Sequence, residues 1–435
     1  MNVIMGFSVP YLIACFLQLL YSMTDLYFVG KYCDVPSITA VTIGGQVLHM
    51  LTVMIVGITM GCTIGVAKAT GAQHHHEASL FIGNTTTLFM LMSIPLTLIL
   101  YICAPAITQI MATPTEATFQ TNAYLQISFI GLPAIVAYNI LASIFRGIGN
   151  TKTPMHVVAM ACLCNVALNY LFVAYLQMGP AGAAWATIIS QTAGVAMAIA
   201  LFTKQNKGKA SIQKSDFALR RHITRSILSI GTPIALQDGF IQISFILITI
   251  IANCRGLIDA AAVGICERVI GFLFLVPSAL LSTVSAVSAQ NFGANLHHRA
   301  RLTLRYAIII ATTFGTLSSI LFQFISAHVI GIFTTSQSVI ISGEQYLMAY
   351  VWDCVFAGIH FCYSGYFCAA GKSIYSFIHN SISIILARIP LAYCASITFP
   401  ATLYPMGLAT VAGSLLSVII CHHLAKKLKT TPTTR

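Results

Sequence analysis

Apolar runs of roughly 20 residues recur about twelve times along this chain of 435 residues, and each is long enough to cross a hydrocarbon core about 30 Å thick. They lie near 8–29, 38–62, 80–104, 120–145, 154–176, 181–203, 228–253, 259–286, 302–330, 342–368, 374–397 and 402–424. With 57% hydrophobic and 7% charged residues and a mean hydropathy of +0.85, the chain is far from the range of a soluble domain. The expected fold class is an all-α integral membrane protein of about twelve transmembrane helices.

The net charge of +12 suggests nucleic acid only until the basic residues are mapped. With a cytoplasmic N-terminus, 18 of the 22 Lys and Arg residues fall on the inner side: Lys68, Arg146, Lys152, seven between Lys204 and Arg225, Arg299, Arg301, Arg305, Lys372, and four from Lys426 to Arg435. Lys31 and Arg255 fall outside, and Arg268 and Arg388 fall within spans. The positive-inside rule therefore places both termini in the cytoplasm, and the basicity reports topology and anionic lipid rather than a nucleic-acid partner. The first basic residue is Lys31, so no cleavable signal peptide is expected. The 13 cysteines are scattered through apolar runs without metal-ligand spacing and read as small buried hydrophobes, although Cys33 and Cys254, both on the outer side, could pair.

The chain also matches itself. Ala67, Gly71, Ala72, His75, His76 and Ala78 recur 222 residues later as Ala289, Gly293, Ala294, His297, His298 and Ala300, and Phe145 and Gly149 recur as Phe367 and Gly371. Two copies of a six-helix unit are expected, at 1–203 and 228–425, joined by a basic cytoplasmic linker at 204–227 that contains Gly208 and followed by a basic tail at 426–435. An even number of spans per copy gives both halves one orientation, a pseudo-two-fold along the membrane normal and a cleft between them, a plan suited to alternating access.

Residues 145–191 hold the most informative local pattern. A glycine-containing loop with Thr151, Lys152, Thr153 and Pro154 ends one apolar run and opens the next. Within that next helix Asn165 and Asn169 are four apart and share a face. Gly179, Pro180 and Gly182 then turn the chain, and Thr187 follows about 9 Å into the next helix. Here the sequence resembles the multidrug and toxic compound extrusion (MATE) family. The resemblance is carried by FRGIGNTKTP, by Asn165 with Asn169, by GAAWAT ending at Thr187, by YSMTDLYFVG around Asp25, and by VAKATGAQHHHEA and SAQNFGANLHHRA. It spans nearly the whole chain and implies the MATE fold. Relatives usually carry a longer leader before the first span.

Four of the ten acidic residues fall inside expected spans, namely Asp25, Asp238, Glu267 and Asp353. Each is costly at a helix centre, by about 2.5–3.5 kcal/mol on insertion scales, so a cavity or partner is expected for each. The resemblance implies a cation site in the N-terminal half at Asp25, Asn165, Asn169 and Thr187. Helical rise puts Asp25 about 26 Å along its span, and Asn169 and Thr187 about 21 Å from the cytoplasmic side. Carboxylate, amide and hydroxyl oxygens suit a hard cation such as Na⁺, and Asp25 alone suits a proton. The bland alternative is hydrogen bonding between packed helices. Many relatives have aspartate where this chain has Asn169, which leaves H⁺ and Na⁺ both open as coupling ion. One branch has a glutamate in the seventh span where this chain has Ile241, followed by Gln242, so the resemblance points to the DNA-damage-inducible F branch. Asp238, Gln242, Glu267, Asp353 and Arg388 are expected to line a mildly anionic substrate cleft favouring organic cations, unless Asp353 with Arg388 or Glu267 with Arg268 form structural pairs.

His74, His75 and His76 point around the chain in a basic loop, and Leu80 stands where HExxH needs its second histidine, so no metal site is expected. Neither a serine nor a zinc motif marks an intramembrane enzyme. The expected function is a cation-coupled antiporter exporting small organic molecules, without cofactor, as a monomer in the bacterial cytoplasmic membrane. The alternatives are a lipid-linked saccharide flippase of the wider superfamily, for which a strongly basic cleft is expected, and a major facilitator, whose acidic-basic loop is absent from AKATGAQHHHEA.

Overall fold

The computed structural model describes residues 1–111, 113–205 and 213–430; Lys207, Gly208, Lys209 and Arg435 lie outside them. Among these residues the chain is helical throughout and contains no strand. The first copy runs Asn2–Tyr32 (α1), Val35–Gly71 (α2), His75–Ile110 (α3), Thr115–Ile130 (α4), Leu132–Ile148 (α5), Lys152–Asn169 (α6) and Gly179–Gln205 (α7). The second runs Arg221–Arg255 (α8), Leu257–Leu273 (α9), Leu275–Gly293 (α10), His297–Gly331 (α11), Gln337–Tyr350 (α12), Asp353–Ala369 (α13), Ile374–Ser383 (α14), Ile389–Thr398 (α15) and Tyr404–Thr430 (α16). Wide π turns, Tyr170–Tyr175 and Ile384–Arg388, follow α6 and α14.

Ten helices are long and apolar enough to cross a membrane among the described residues, and α4 with α5, bent by 48° at Gly131, makes an eleventh. Pro133 in the first turn of α5 accounts for that bend, because its ring cannot continue the helix of α4. The apolar run at 342–368 is divided between α12 and α13, at 14 and 17 residues each too short to span alone.

The repeat read from polar loops is written in the backbone as well. Gln73 (φ 60°) and Asn295 (φ 59°) are both left-handed, and so are Gly149 (φ 95°) and Gly371 (φ 76°), each pair separated by the same 222 residues. Hydrogen bonds repeat with them. The amide of His74 donates to Ala69 O at 2.9 Å as that of Leu296 donates to Asn291 O at 2.8 Å, and Asn150 to Phe145 O matches Lys372 to Phe367 O, both 2.8 Å. The latter pair closes α5 and α13 with the wide turn that a left-handed residue permits. Beyond it Asn150 serves the next helix: its Oδ1 accepts from Thr153 N at 3.1 Å and its Nδ2 donates to Thr153 Oγ1 at 2.8 Å. FRGIGNTKTP is therefore a helix stop followed by a helix start.

The chain divides into two compact units, Val9–Gly231 and Met1–Ser8 with Thr232–Arg435, so the divisions fall inside α1 and α8. In the first unit Cys62, Val66, Leu80, Phe81, Leu132, Ile140, Ile144 and Ile227 form a core shared by α2, α3, α5 and the start of α8. In the second, Ile248, Cys266, Ile270, Tyr346, Tyr350 and Met406 join α8, α9, α12 and α16. There Arg255 spends its guanidinium on five acceptors: Asp259 Oδ2 at 2.7 Å and the carbonyls of Ser396, Phe399, Pro400 and Thr402 at 2.7–3.3 Å. The planar fork of five donors suits such a junction of loops.

The described end of the connector, residues 213–220, is not a free tether. It lies along α3, with Lys214–Phe217 in a single tight turn and Asp216 buried. Asn84 holds it, donating through Nδ2 to Asp216 O at 3.3 Å and Ala218 O at 3.0 Å and accepting at Oδ1 from Arg220 N at 2.7 Å. Gly83 permits the approach, since a Cβ there would meet Asp216 O at 2.3 Å. Replacing Asn84 by Ala strips buried backbone groups of their partners, and a loss of about 2–4 kcal/mol is expected from urea or thermal unfolding in detergent. Gly83→Ala is expected to destabilise the same contact by overlap alone.

Candidate cation-binding site

Three helices of the first unit, α1, α6 and α7, build a polar cluster around Asp25. Asp25 is on α1, buried, with 4% of its surface exposed. Its Oδ1 accepts from Asn169 Nδ2 at 2.7 Å and Asn165 Nδ2 at 3.2 Å, and its Oδ2 accepts from Thr187 Oγ1 at 2.7 Å. Asn165 Nδ2 also lies 3.3 Å from Thr187 Oγ1, so all four residues expected at this site meet. The placement follows from local sequence. Asn165 and Asn169 share a face of α6 because they are four apart. Gly182, Ala183, Ala184 and Ala186 are buried on α7, and such small side chains let helix backbones approach closely enough for Thr187 to reach the carboxylate. Directly after Asn169 the helix widens into the π turn Tyr170–Tyr175, a form found preferentially at functional positions.

Two features set the chemistry. Every donor to Asp25 is neutral, and Asp25 makes no ion pair among the described residues. The carbonyl oxygens Oδ1 of Asn165 and Asn169 are buried without a hydrogen-bond partner. A buried carboxylate without countercharge, beside two unserved amide oxygens, is short of positive charge and long on oxygen. That combination fits a proton on Asp25 or a hard cation among the oxygens.

Tyr21 and Ser190 complete the cluster and were not singled out in the sequence. Tyr21 lies one helical turn before Asp25 and donates to Thr187 O at 2.9 Å; its hydroxyl also meets Ser190 Oγ. The four-residue spacing from Asp25 was the available signal. Tyr124 on α4, another electrostatic neighbour of Asp25, is packed with its ring over Gly44.

In the second unit only part of the expected set comes together. Glu267 on α9, Asp353 at the start of α13 and Arg388 at the end of its π turn are mutual electrostatic neighbours. Neither Asp353 nor Glu267 forms an ion pair with arginine within 4.0 Å among the described residues. Arg388 instead donates to Tyr350 Oη at 2.8 Å and stacks 4.8 Å over the ring of Phe245, while both oxygens of Asp353 are buried without a direct hydrogen-bond partner. Arg268, expected within a span beside Glu267, is exposed. Asp238 and Gln242 are half-buried one turn apart on α8, and the electrostatic neighbour of Asp238 is Cys368. Sequence reading passed over His360 and His379, both buried in α13 and α14 with rings 5.6 Å apart; His379 is held by Ser364 Oγ at 2.9 Å and Ser417 Oγ at 2.6 Å. All the cysteines are free, Cys33 and Cys254 included.

The family model described as MatE matches residues 10–171 and again 233–394. The chain belongs to this MATE family. It is a multi-pass membrane transporter rather than an enzyme, and cation coupling is a general property of its family. Among curated relatives it is similar to the probable multidrug resistance protein YoeA of Bacillus subtilis, 25% identical over 90% of this chain and 86% of that one. It is also similar to the multidrug export protein MepA of Staphylococcus aureus, 24% identical over 85% and 81%. The fold is that of a solved MATE protein in the straight conformation, with a TM-score of 0.88 at 21% identity over 99% of this chain and 97% of that one. It is equally that of a MOP superfamily transporter from Pyrococcus furiosus described as having a binding pocket of reverse polarity, at 0.89 and 20% over 99% and 96%.

The Asp25 cluster of this MATE protein makes a quantitative demand. Thr187→Val leaves Oδ2 of a buried carboxylate without its donor, and a loss of about 1–3 kcal/mol of stability is expected. In an Asp25→Leu background the same replacement should cost much less, so a double-mutant cycle read by thermal unfolding measures the bond.

Proposed function

We propose that this MATE protein is a secondary active efflux transporter that exports organic, predominantly cationic drug-like compounds in exchange for inward H⁺ or Na⁺. The observation that carries the reading is the buried Asp25 carboxylate, served by three neutral donors and, among the described residues, by no cation. An inbound ion neutralises that charge and redirects its donors; Thr187 and both amides then bond differently in the loaded and unloaded states. A ligand with different affinity for two conformations shifts the balance between them, which is the requirement for alternating access. The multidrug names of YoeA and MepA support the substrate class. Glu267 and Asp353 outnumber Arg388 in the second unit, which favours positive over negative substrates.

The transporting halves in this reading are 1–203 and 228–425, with 204–227 connecting them, and residues 426–435 and the N-terminus face the cytoplasm of a bacterial cell. Ile241, in place of a glutamate, supports a DNA-damage-inducible F-like branch. The monomer contains all four cation-site residues and needs no partner copy to complete the site.

Dye efflux from everted vesicles, with Na⁺ and pH gradients imposed separately, tests the proposal. Wild type should respond to at least one gradient, and Asp25→Asn should lose more than about tenfold of gradient-driven efflux at normal membrane insertion. Dye movement indifferent to both gradients would overturn coupled antiport, and unimpaired exchange in the variant would remove Asp25 from it. Asp238→Asn is expected to reduce efflux of cationic dyes while inserting normally, and wild-type efflux there would take Asp238 out of the substrate path.

A further inference from the structure

Arg146 is counted by sequence among the loop cations, yet it is buried, with 4% of its surface exposed at the end of α5. Its Nε and Nη2 have no hydrogen-bond partner, and it forms no ion pair among the described residues. It borders a cavity of about 30 Å³ that is also lined by Tyr11, Tyr138, Asn139, Thr151 and Pro154. We propose that this cavity binds one halide-sized anion, chloride in ordinary salt.

Three observations carry the assignment. The first is charge. The acidic residues of this unit are all spoken for or remote: Asp25 is held by Thr187 and the two asparagines, Asp34 by Ser37, Glu77 by His74 and Asp216 by Gln213, while Glu116 is exposed at the start of α4. Among the described residues the guanidinium leans on the ring of Tyr11, 5.3 Å from Cζ, and a π face offsets a full charge only in part. A water in the cavity would serve the free N–H groups and leave the charge standing; an anion serves both.

The second is orientation. Thr151 and Pro154, which line the cavity, open α6, and the amino end of an 18-residue helix adds positive potential on the same side as the guanidinium. The third is size. A space of about 30 Å³ admits a water-sized or halide-sized particle. The site belongs to α1, α2, α5 and the FRGIGNTKTP turn, and shares no residue with the Asp25 cluster.

Thermal unfolding of the purified protein in detergent tests this, with sodium gluconate replaced stepwise by sodium chloride at constant ionic strength. Chloride should stabilise saturably, shifting the unfolding equilibrium about tenfold at about ten times its dissociation constant. Arg146→Gln should abolish the chloride dependence. Bromide should substitute for chloride and give an anomalous diffraction peak beside the Arg146 guanidinium, a readout that stands even if the variant fails to fold. Wild type melting identically in chloride and gluconate, a dependence that survives Arg146→Gln, or a bromide-soaked crystal without a peak at Arg146 would each overturn the proposal in favour of water alone.

Discussion

The Asp25 carboxylate, sunk among neutral donors, is the interaction on which the first unit's interior depends. Its position requires α1, α6 and α7 to meet at one depth, and the residues that let them meet are undemanding in themselves: a run of glycine and alanine on α7 and a π turn after α6. Dispersion packing of small side chains brings the backbones close, and the polar cluster then selects one register among the many that such smooth surfaces allow. Three donors satisfy the carboxylate well enough for the chain to fold around it but leave its charge uncompensated.

The second unit solves the same problem differently. Glu267 and Asp353 share a neighbourhood with Arg388, so positive charge is supplied from within the chain. Arg388 does not clasp either acid; it leans on Phe245 and Tyr350, which keeps the carboxylates near a cation without locking them to it. Two halves that share a plan therefore differ in the one property that matters for ions, whether a buried acid has a resident counter-charge.

Much of this was legible in the sequence, and the part that was not has physical reasons. Apolar runs and polar loops gave the spans and the repeat because lipid enforces helix length and loops escape that uniformity. Asp25, Asn165, Asn169 and Thr187 stood out as polar letters in greasy text. Tyr21 did not, because tyrosine is common in membrane helices and only its spacing from Asp25 marks it. His360 and His379 were missed for want of a matched partner pattern, as the partners of His379 are serines scattered over α13 and α16. The division of 342–368 into α12 and α13 was hidden because no proline or glycine announces it, whereas Pro133 announces its counterpart. The burial of Arg146 was hidden for a related reason: a basic residue beside a loop reads as solvated, and only packing reveals that Tyr11 covers it.

The paired left-handed residues have a consequence for descent. Gly149 and Gly371 are the same letter, but Gln73 stands against Asn295, and all four keep their conformation. A letter-by-letter comparison counts the second pair as a difference; the main chain counts it as an inheritance. Duplication followed by drift leaves such a signature, in which shape is retained by ancestry while identity wanders among the few side chains that the shape tolerates.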